Sequence, residues 1–266
     1  MQSCTTIRAL AGLAVSCFAA TAIAADPSCA SLTSTGKLRA GMNLSNALFT
    51  TKNARGELQG VSVDIMREMA SRMGVPVDFV VFPTPGDVSD AAAGDKWDVA
   101  VLAIEQGRAE SVAFSPPMTE IEATYAVRKD APFRTVAEVD ASGVRIAAAN
   151  KAGYELYLTR TLKNATLIRT KQLEGAIVEF NAHRADAVAG LRPAILEAMD
   201  KLPDARLLDG NFMTVNHGIA TPRARGKGAD CAKAIVDDLN ASGFVARSIA
   251  KHGIQGLSAL KGAPAR

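Results

Sequence analysis

Few residues of this chain have the types and spacing that chemistry requires. The three histidines, His183, His217 and His252, could bind a metal or act as general bases, but no acid or cysteine stands at metal-ligand spacing from them. The sequence also lacks a phosphate loop, a Gly-x-Ser-x-Gly elbow and a His-Glu-x-x-His motif. We therefore expect structural histidines, no bound metal and no other cofactor.

The elements that must position any site alternate between strands and helices. Apolar residues at 66, 69, 70 and 73 predict a helix that Gly74 ends, and the apolar run 97–104 predicts a strand buried on both faces. The predicted strands or extended segments cover 37–41, 77–82, 97–104, 144–148, 165–169, 186–189, 207–208 and 215–221. The predicted helices cover 61–73, 153–161, 173–182, 193–201, 230–241 and 244–252. This alternation indicates an α/β architecture with mainly parallel sheets.

The N-terminus has the layout of a cleavable secretory signal peptide over residues 1–25. Residues 9–23 are uncharged and apolar, the small residues Ala22 and Ala24 follow the pattern of a cleavage site, and Asp26-Pro27 would end a helix. The signal predicts a periplasmic location. An N-terminal anchor helix, or a lipid attached to Cys17, is the alternative.

The composition argues against nucleic-acid binding. The chain has 266 residues, of which 48% are hydrophobic and 21% charged, and its formal net charge is +3. The basic residues are dispersed along the chain, whereas nucleic-acid binding usually needs a clustered basic stripe. We therefore expect an ordinary globular protein that does not bind nucleic acid.

Several short sequence motifs occur in an order that is typical of one known family. The motifs are GKLRAGM (36–42), GELQGVSVD (56–64), KWDVAV (96–101), GRAESVAFSPP (107–117), HRADAV (183–188) and ASGFVAR (241–247). Over about residues 36–256 the chain resembles family 3 of the bacterial extracellular solute-binding proteins, the amino-acid-binding type. The resemblance implies the type II periplasmic-binding-protein fold, in which two α/β lobes are joined by a two-crossing hinge.

The resemblance also implies a division of the chain and a function. Lobe 1 would hold residues 26–125 and 219–266, lobe 2 would hold 126–218, and the crossings would lie near 124–127 and 215–219. The lobes would close on a small-molecule carboxylate or amino acid. The partner would be the inner-membrane permease of an ABC importer, and the chain would be a monomeric binding protein without enzymatic activity.

Arg108 corresponds to the arginine with which the family binds the ligand's carboxylate. A guanidinium suits this role because it presents two parallel donors to two carboxylate oxygens. The competing interpretation is a surface arginine on a short helix.

Other site positions depart from the family pattern. The hydroxyl-bearing stretch before the arginine is here Leu102 to Gln106, so backbone groups such as those of Ala103 must replace the hydroxyl contacts. The family's Gly-Thr-Thr is Lys151-Ala152-Gly153 here, at the start of a helix that still offers free amides to an anion. Lys151, Gly153 and Tyr154 are therefore candidate ligand contacts.

The position of the family's ammonium-binding aspartate is occupied by Leu191, and Arg192 follows it. A buried ammonium without a carboxylate partner costs on the order of several kcal/mol. One hypothesis is therefore a ligand without an amine, either a monocarboxylate or a dicarboxylate that bridges Arg108 and Arg192. The other is that Arg192 points to solvent and that Glu105 or another acid contacts an ammonium.

The loop over residues 43–49 matches a ligand-contacting loop of the family. Asn43 and Asn46 are candidate contacts, and Asn46 stands where the family often has an aromatic residue. The loss of that stacking surface favours a small or polar ligand. Phe49 is expected beside the site or in the core.

The implied fold brings both ends of the chain into lobe 1. Its C-terminal helices would place Cys231 near Cys29, and a cysteine pair in an oxidising compartment is often a disulfide. Two buried free thiols are the alternative.

Two rival functions remain open. An enzyme on the same fold, resembling cyclohexadienyl dehydratases, would need a general acid in the cleft, for which Glu105 and Glu155 are the candidates. The second rival is a non-transport role, either as an accessory partner of a periplasmic dehydrogenase or as a sensor module. The accessory partner would show no stabilisation by a small ligand.

Overall fold

The structure is a computed structural model that describes residues 27–260, so the predicted signal peptide over 1–25 lies outside the described residues. The strands are β1 (Leu38–Asn43), β2 (Thr51–Lys52), β3 (Leu58–Gln59), β4 (Val77–Phe82), β5 (Val99–Ala103), β6 (Val112–Phe114), β7 (Thr119–Arg128), β8 (Arg145–Ala149), β9 (Thr166–Thr170), β10 (Ala187–Leu191), β11 (Ala205–Leu207), β12 (Met213–Pro222) and β13 (Ser258–Ala259). The helices are α1 (Val61–Arg72), α2 (Pro85–Asp90), α3 (Gly153–Thr161), α4 (Leu173–Asn181), α5 (Arg192–Glu197), α6 (Gly228–Ala241) and α7 (Phe244–Lys251).

The main sheet has two parallel halves joined by two long antiparallel strands. Its strand order is β4-β1-β5-β12-β7-β10-β8-β9. We call β4, β1 and β5 the first half and β10, β8 and β9 the second half; the strands within each half are parallel. Strands β12 and β7, ten residues each, pair antiparallel with each other and with the neighbouring half. The two halves are therefore joined to each other through this central pair of strands.

The predicted alternation of strands and helices is confirmed, with most boundaries within two residues. Gly74 adopts the left-handed conformation (φ 68°) expected of a residue that ends a helix. One predicted helix, over 193–201, is wrong in its second half, because α5 ends at Glu197 and a 3-10 turn follows. Helix α2 had no periodic signal; it begins where Thr84 accepts a hydrogen bond from the amide of Asp87 and Pro85 fits the first turn.

Helix α1 packs its apolar face into the core and positions the loop before it. Val61, Ile65 and Met69 are fully buried. Gly60 precedes the helix with φ 119°, and a Cβ there would lie 2.4 Å from the carbonyl oxygen of Phe49. Only glycine fits this approach, so the helix start fixes the loop over residues 43–50.

The start of the described chain packs against helix α6, which in turn packs on β12. The 3-10 turn Pro27–Ser31 packs on α6, where Cys29 and Cys231 form a disulfide with a Cα–Cα distance of 5.1 Å. The bond closes a sequence separation of 202 residues. Such a long loop gives a crosslink a large entropic effect on the unfolded chain.

Within residues 27–260, no helix combines the length and the apolar character that crossing a bilayer would demand.

Removal of this disulfide should destabilise the fold. For a chain that starts at residue 26, we expect the Cys29→Ser/Cys231→Ser variant to lose about 2–4 kcal/mol of unfolding free energy. Either single variant should lose about as much as the double, because each alone removes the bond. Denaturant titrations measure these losses; additive losses from the singles would show that no bond exists.

Candidate functional site

A cavity of about 320 Å³ lies between the two halves of the sheet. Its walls come from the loop after β1, the end of β5, the starts of α3, α4 and α5, and strand β12. The structure brings together six of the candidate residues in this cavity: Asn43, Asn46, Ala103, Arg108, Gly153 and Tyr154.

Arg108 is a buried cation at the cavity. Its side chain donates from Nη1 to the carbonyl of Ala103 (3.0 Å) and from Nη2 to the carbonyl of Lys151 (2.7 Å), and the residue is only 4% exposed. Among the described residues no carboxylate oxygen lies within 4 Å of it: Glu105 pairs with Arg160, and Asp90 pairs with Lys151. Burial lowers the pKa of Arg108 to about 10, so the group stays charged near neutral pH. A buried charge of this kind needs an anionic partner.

Lys151 and Arg192 do not line the cavity. Lys151 contributes its carbonyl to Arg108, while its ammonium lies 2.5 Å from Asp90 across the two halves. Arg192 turns to a second pocket, where Nε lies 2.6 Å from Glu122 and Nη2 donates to the carbonyl of Gly210. The structure therefore does not bring Arg192 to Arg108, and a dicarboxylate bridging the two arginines has no geometric support.

Helix α3 begins at the cavity wall. A Cβ at Gly153 would lie 2.6 Å from the Cβ of Ala103 and 3.3 Å from Val215, so glycine allows the close approach of α3 to β5 and β12. The first-turn amides of a helix favour an anion. Tyr154 is buried in the same wall, and burial raises its pKa, so its phenol stays protonated.

Leu191, which the sequence analysis placed at the position of the family's aspartate, is buried and lines the cavity. The carboxylates among the lining residues are Glu174 and Glu197, which are exposed, as are Lys171 and Lys201. The buried part of the lining therefore carries one formal charge, that of Arg108. This composition matches an anionic group better than a cationic one.

His217 is a cavity residue that the sequence analysis missed, because it assigned all three histidines to structural roles. The imidazole is 6% exposed, lines the cavity, and lies 4.6 Å from the ring of Phe49 between centroids. Burial, followed by the charge of Arg108, lowers its pKa to about 3. A lone histidine in an extended segment carried no signal that separated it from His183 and His252.

Glu105 and Glu155, the candidate general acids, are buried but are not among the residues that line the cavity. Glu105 lies 2.6 Å from Arg160, and Glu155 lies 2.8 Å from Arg169 and accepts from the amide of Lys151. In the part of the chain that the structure covers, no group of three His, Cys, Asp or Glu side chains could hold a metal ion.

The lowered pKa of His217 predicts acid sensitivity. In the unfolded chain a histidine takes up a proton below about pH 6.5, whereas folded His217 does so only near pH 3. The unfolded state therefore binds more protons between these values, and the free energy of unfolding falls as the pH falls. From pH 7 to pH 5, urea titrations should show about 2 kcal/mol more loss for the wild type than for His217→Gln. Equal losses would contradict the buried neutral imidazole.

Comparison with known proteins identifies the family of the chain. The sequence model of the bacterial extracellular solute-binding proteins, family 3, matches residues 38–253. The arginine-binding periplasmic protein of Mannheimia haemolytica is 26% identical over 180 residues, which are 65% of this chain and 73% of that protein.

Two solved structures share the fold. A mutant of ArgBP from T. maritima has a TM-score of 0.69 at 24% identity, covering 84% of this chain and 98% of that one. An ancestral amino acid-binding protein, a precursor of cyclohexadienyl dehydratase, has a TM-score of 0.68 at 22% identity, covering 84% and 98%. The fold is the type II periplasmic-binding fold of two α/β lobes joined by two crossings, and the chain belongs to the bacterial extracellular solute-binding proteins, family 3.

Proposed function

We propose that this chain is the periplasmic binding component of an ABC importer and that it holds a small carboxylate between its lobes. The observation that carries the proposal is the buried guanidinium of Arg108, which lines the cavity and has no carboxylate partner among the described residues. A ligand carboxylate would supply the missing charge through the donors that the two carbonyls leave free. The partner would be an inner-membrane permease, and the chain would act as a monomer.

The proposal includes the division into lobes, with residues 26–125 and 219–266 in lobe 1 and 126–218 in lobe 2. Three contacts would then hold the lobes closed: Arg108 to the carbonyl of Lys151, Lys151 to Asp90, and Arg160 to Glu105. Closure around a ligand would give the permease a distinct surface to recognise.

The ligand we favour is a carboxylate without an α-ammonium. The buried lining offers no carboxylate to an ammonium, because Leu191 replaces the acid and Glu105 is bound to Arg160. The name of the Mannheimia haemolytica relative favours an amino acid instead. In that case the exposed Glu174 or Glu197 would have to contact the ammonium.

Binding without catalysis is the better interpretation of this cavity. One structural neighbour is a precursor of a dehydratase, but both candidate general acids here are engaged in ion pairs away from the cavity lining. A periplasmic partner role without a small ligand would leave the charge of Arg108 unexplained.

Arg108 is predicted to bind the carboxylate of the ligand. A thermal-shift screen against α-amino acids and amine-free carboxylates should show stabilisation by the amine-free carboxylates. Arg108→Lys keeps the positive charge but loses the two parallel N–H donors of the guanidinium. The variant should therefore bind the carboxylate at least tenfold more weakly, because the bidentate pair is lost. The control is Arg55→Ala, because the side chain of Arg55 is 80% exposed and is not among those that line the cavity. Undiminished affinity in Arg108→Lys would contradict the role of Arg108 in binding the carboxylate. If no compound stabilised the protein, the accessory-partner role would be favoured.

The second prediction concerns Leu191. Leu191→Asp places a carboxylate in the cavity wall and should create binding of α-amino acids, because an ammonium gains its partner. The matched control, Leu191→Asn, has nearly the same shape without the charge and should not gain that binding. Calorimetry on both variants measures the effect. Amino-acid affinity that is already present in the wild type and unchanged by Leu191→Asp would refute this role of the position.

A further inference from the structure

We infer that His217 recognises the substituent on the carbon next to the ligand's carboxylate, and that the protein therefore prefers 2-hydroxy or 2-oxo acids to 2-amino acids. The inference rests on the proposed function, because it requires a carboxylate on Arg108.

Strand pairing places His217 beside the anchor. In the register between β12 and β5, His217 lies opposite Ala103, whose carbonyl accepts from Nη1 of Arg108. The side chains of His217 and Arg108 line the same cavity. Phe49 packs against the imidazole of His217 and limits its orientation. The charge of Arg108 acts on the imidazole, so a carboxylate held by Arg108 would lie near the ring, and the ligand atoms within reach of the ring would be those next to the carboxylate.

The imidazole has hydrogen-bonding capacity left to offer. Nδ1 is buried, and no partner forms a hydrogen bond of normal geometry with it among the described residues. The carbonyl of Val215 also acts on the ring and raises its pKa, but by less than burial and the charge of Arg108 lower it. A buried nitrogen without a partner costs about 1–3 kcal/mol, and a ligand that reorients or engages the ring would recover part of this cost.

The neutral state of His217 selects the chemistry of the substituent. A neutral imidazole carries one N–H donor and one bare acceptor nitrogen. A hydroxyl can use either nitrogen, and a keto oxygen can accept from the N–H. An ammonium could donate to the bare nitrogen, but it would then lie beside the positive charge of Arg108 with no carboxylate in the buried lining. Neutral substituents are therefore favoured over an amine.

Two matched sets of compounds test the inference by calorimetry on the mature protein. One set is propanoate, lactate, pyruvate and alanine; the other is 4-methylpentanoate with its 2-hydroxy, 2-oxo and 2-amino (leucine) derivatives. In the skeleton that binds, the hydroxy or oxo acid should bind at least tenfold more tightly than the unsubstituted and the amino acid. His217→Phe keeps a ring against Phe49 but has no nitrogen, so the ratio of substituted to unsubstituted affinity should fall to near one. His217→Gln, which can donate and accept, should restore part of the ratio.

The outcomes separate this inference from the proposed function. Amino acids as the tightest ligands, or an unchanged ratio in His217→Phe, would overturn the role of His217 while the Arg108-dependent binding of carboxylates still held. No binding of any compound, or affinities that Arg108→Lys leaves unchanged, would overturn both.

Discussion

The buried guanidinium of Arg108 is the interaction on which the arrangement of this protein depends. It donates to one carbonyl at the end of β5 and to another just before α3, so a single side chain connects the two halves of the sheet at the cavity. Both acceptors are neutral. The contacts therefore hold the cation in position without neutralising it, and the cavity retains an unbalanced positive charge.

The charges around the cavity are arranged by depth. Deep in the cavity the lining carries Arg108 together with Leu191 and a neutral His217, whereas the exposed rim combines Lys171 and Lys201 with Glu174 and Glu197. Charges at an exposed rim are screened by water and salt, but a charge in the interior is not. If the cavity holds the proposed carboxylate, selection among ligands would therefore come mainly from the deep groups.

The sequence predicted the elements well because their signals are local. The periodicity of α1 and the apolar run of β5 each lie within one segment, and the motif around Arg108 predicted a residue that lies at the cavity. The direction of the Arg192 side chain could not be predicted from the local sequence. It is the neighbour of Leu191, yet the turn from β10 into α5 sends its side chain to Glu122 and away from the cavity.

His217 could not be found from the sequence for a related reason. Its burial depends on the pairing of β12 with β5 on one side and β7 on the other, and these strands are separated by about a hundred residues of chain. Nothing in the segment itself distinguishes an inward-facing histidine from a solvent-facing one. The same holds for the pairing of Glu105 with Arg160, which removes that carboxylate from the candidate acids.

The packing of the N-terminal turn on α6 has a consequence for the order in which the protein folds. Strands β8, β9 and β10 and their helices come from one continuous stretch, so this half can form as soon as that stretch has emerged. The first half must wait for β12 and for α6 with Cys231, which follow the second half in the chain, before β5 gains its neighbour and the disulfide can close. Until then Cys29 is an unpaired thiol on an incomplete core, so formation of the disulfide is coupled to completion of the first half.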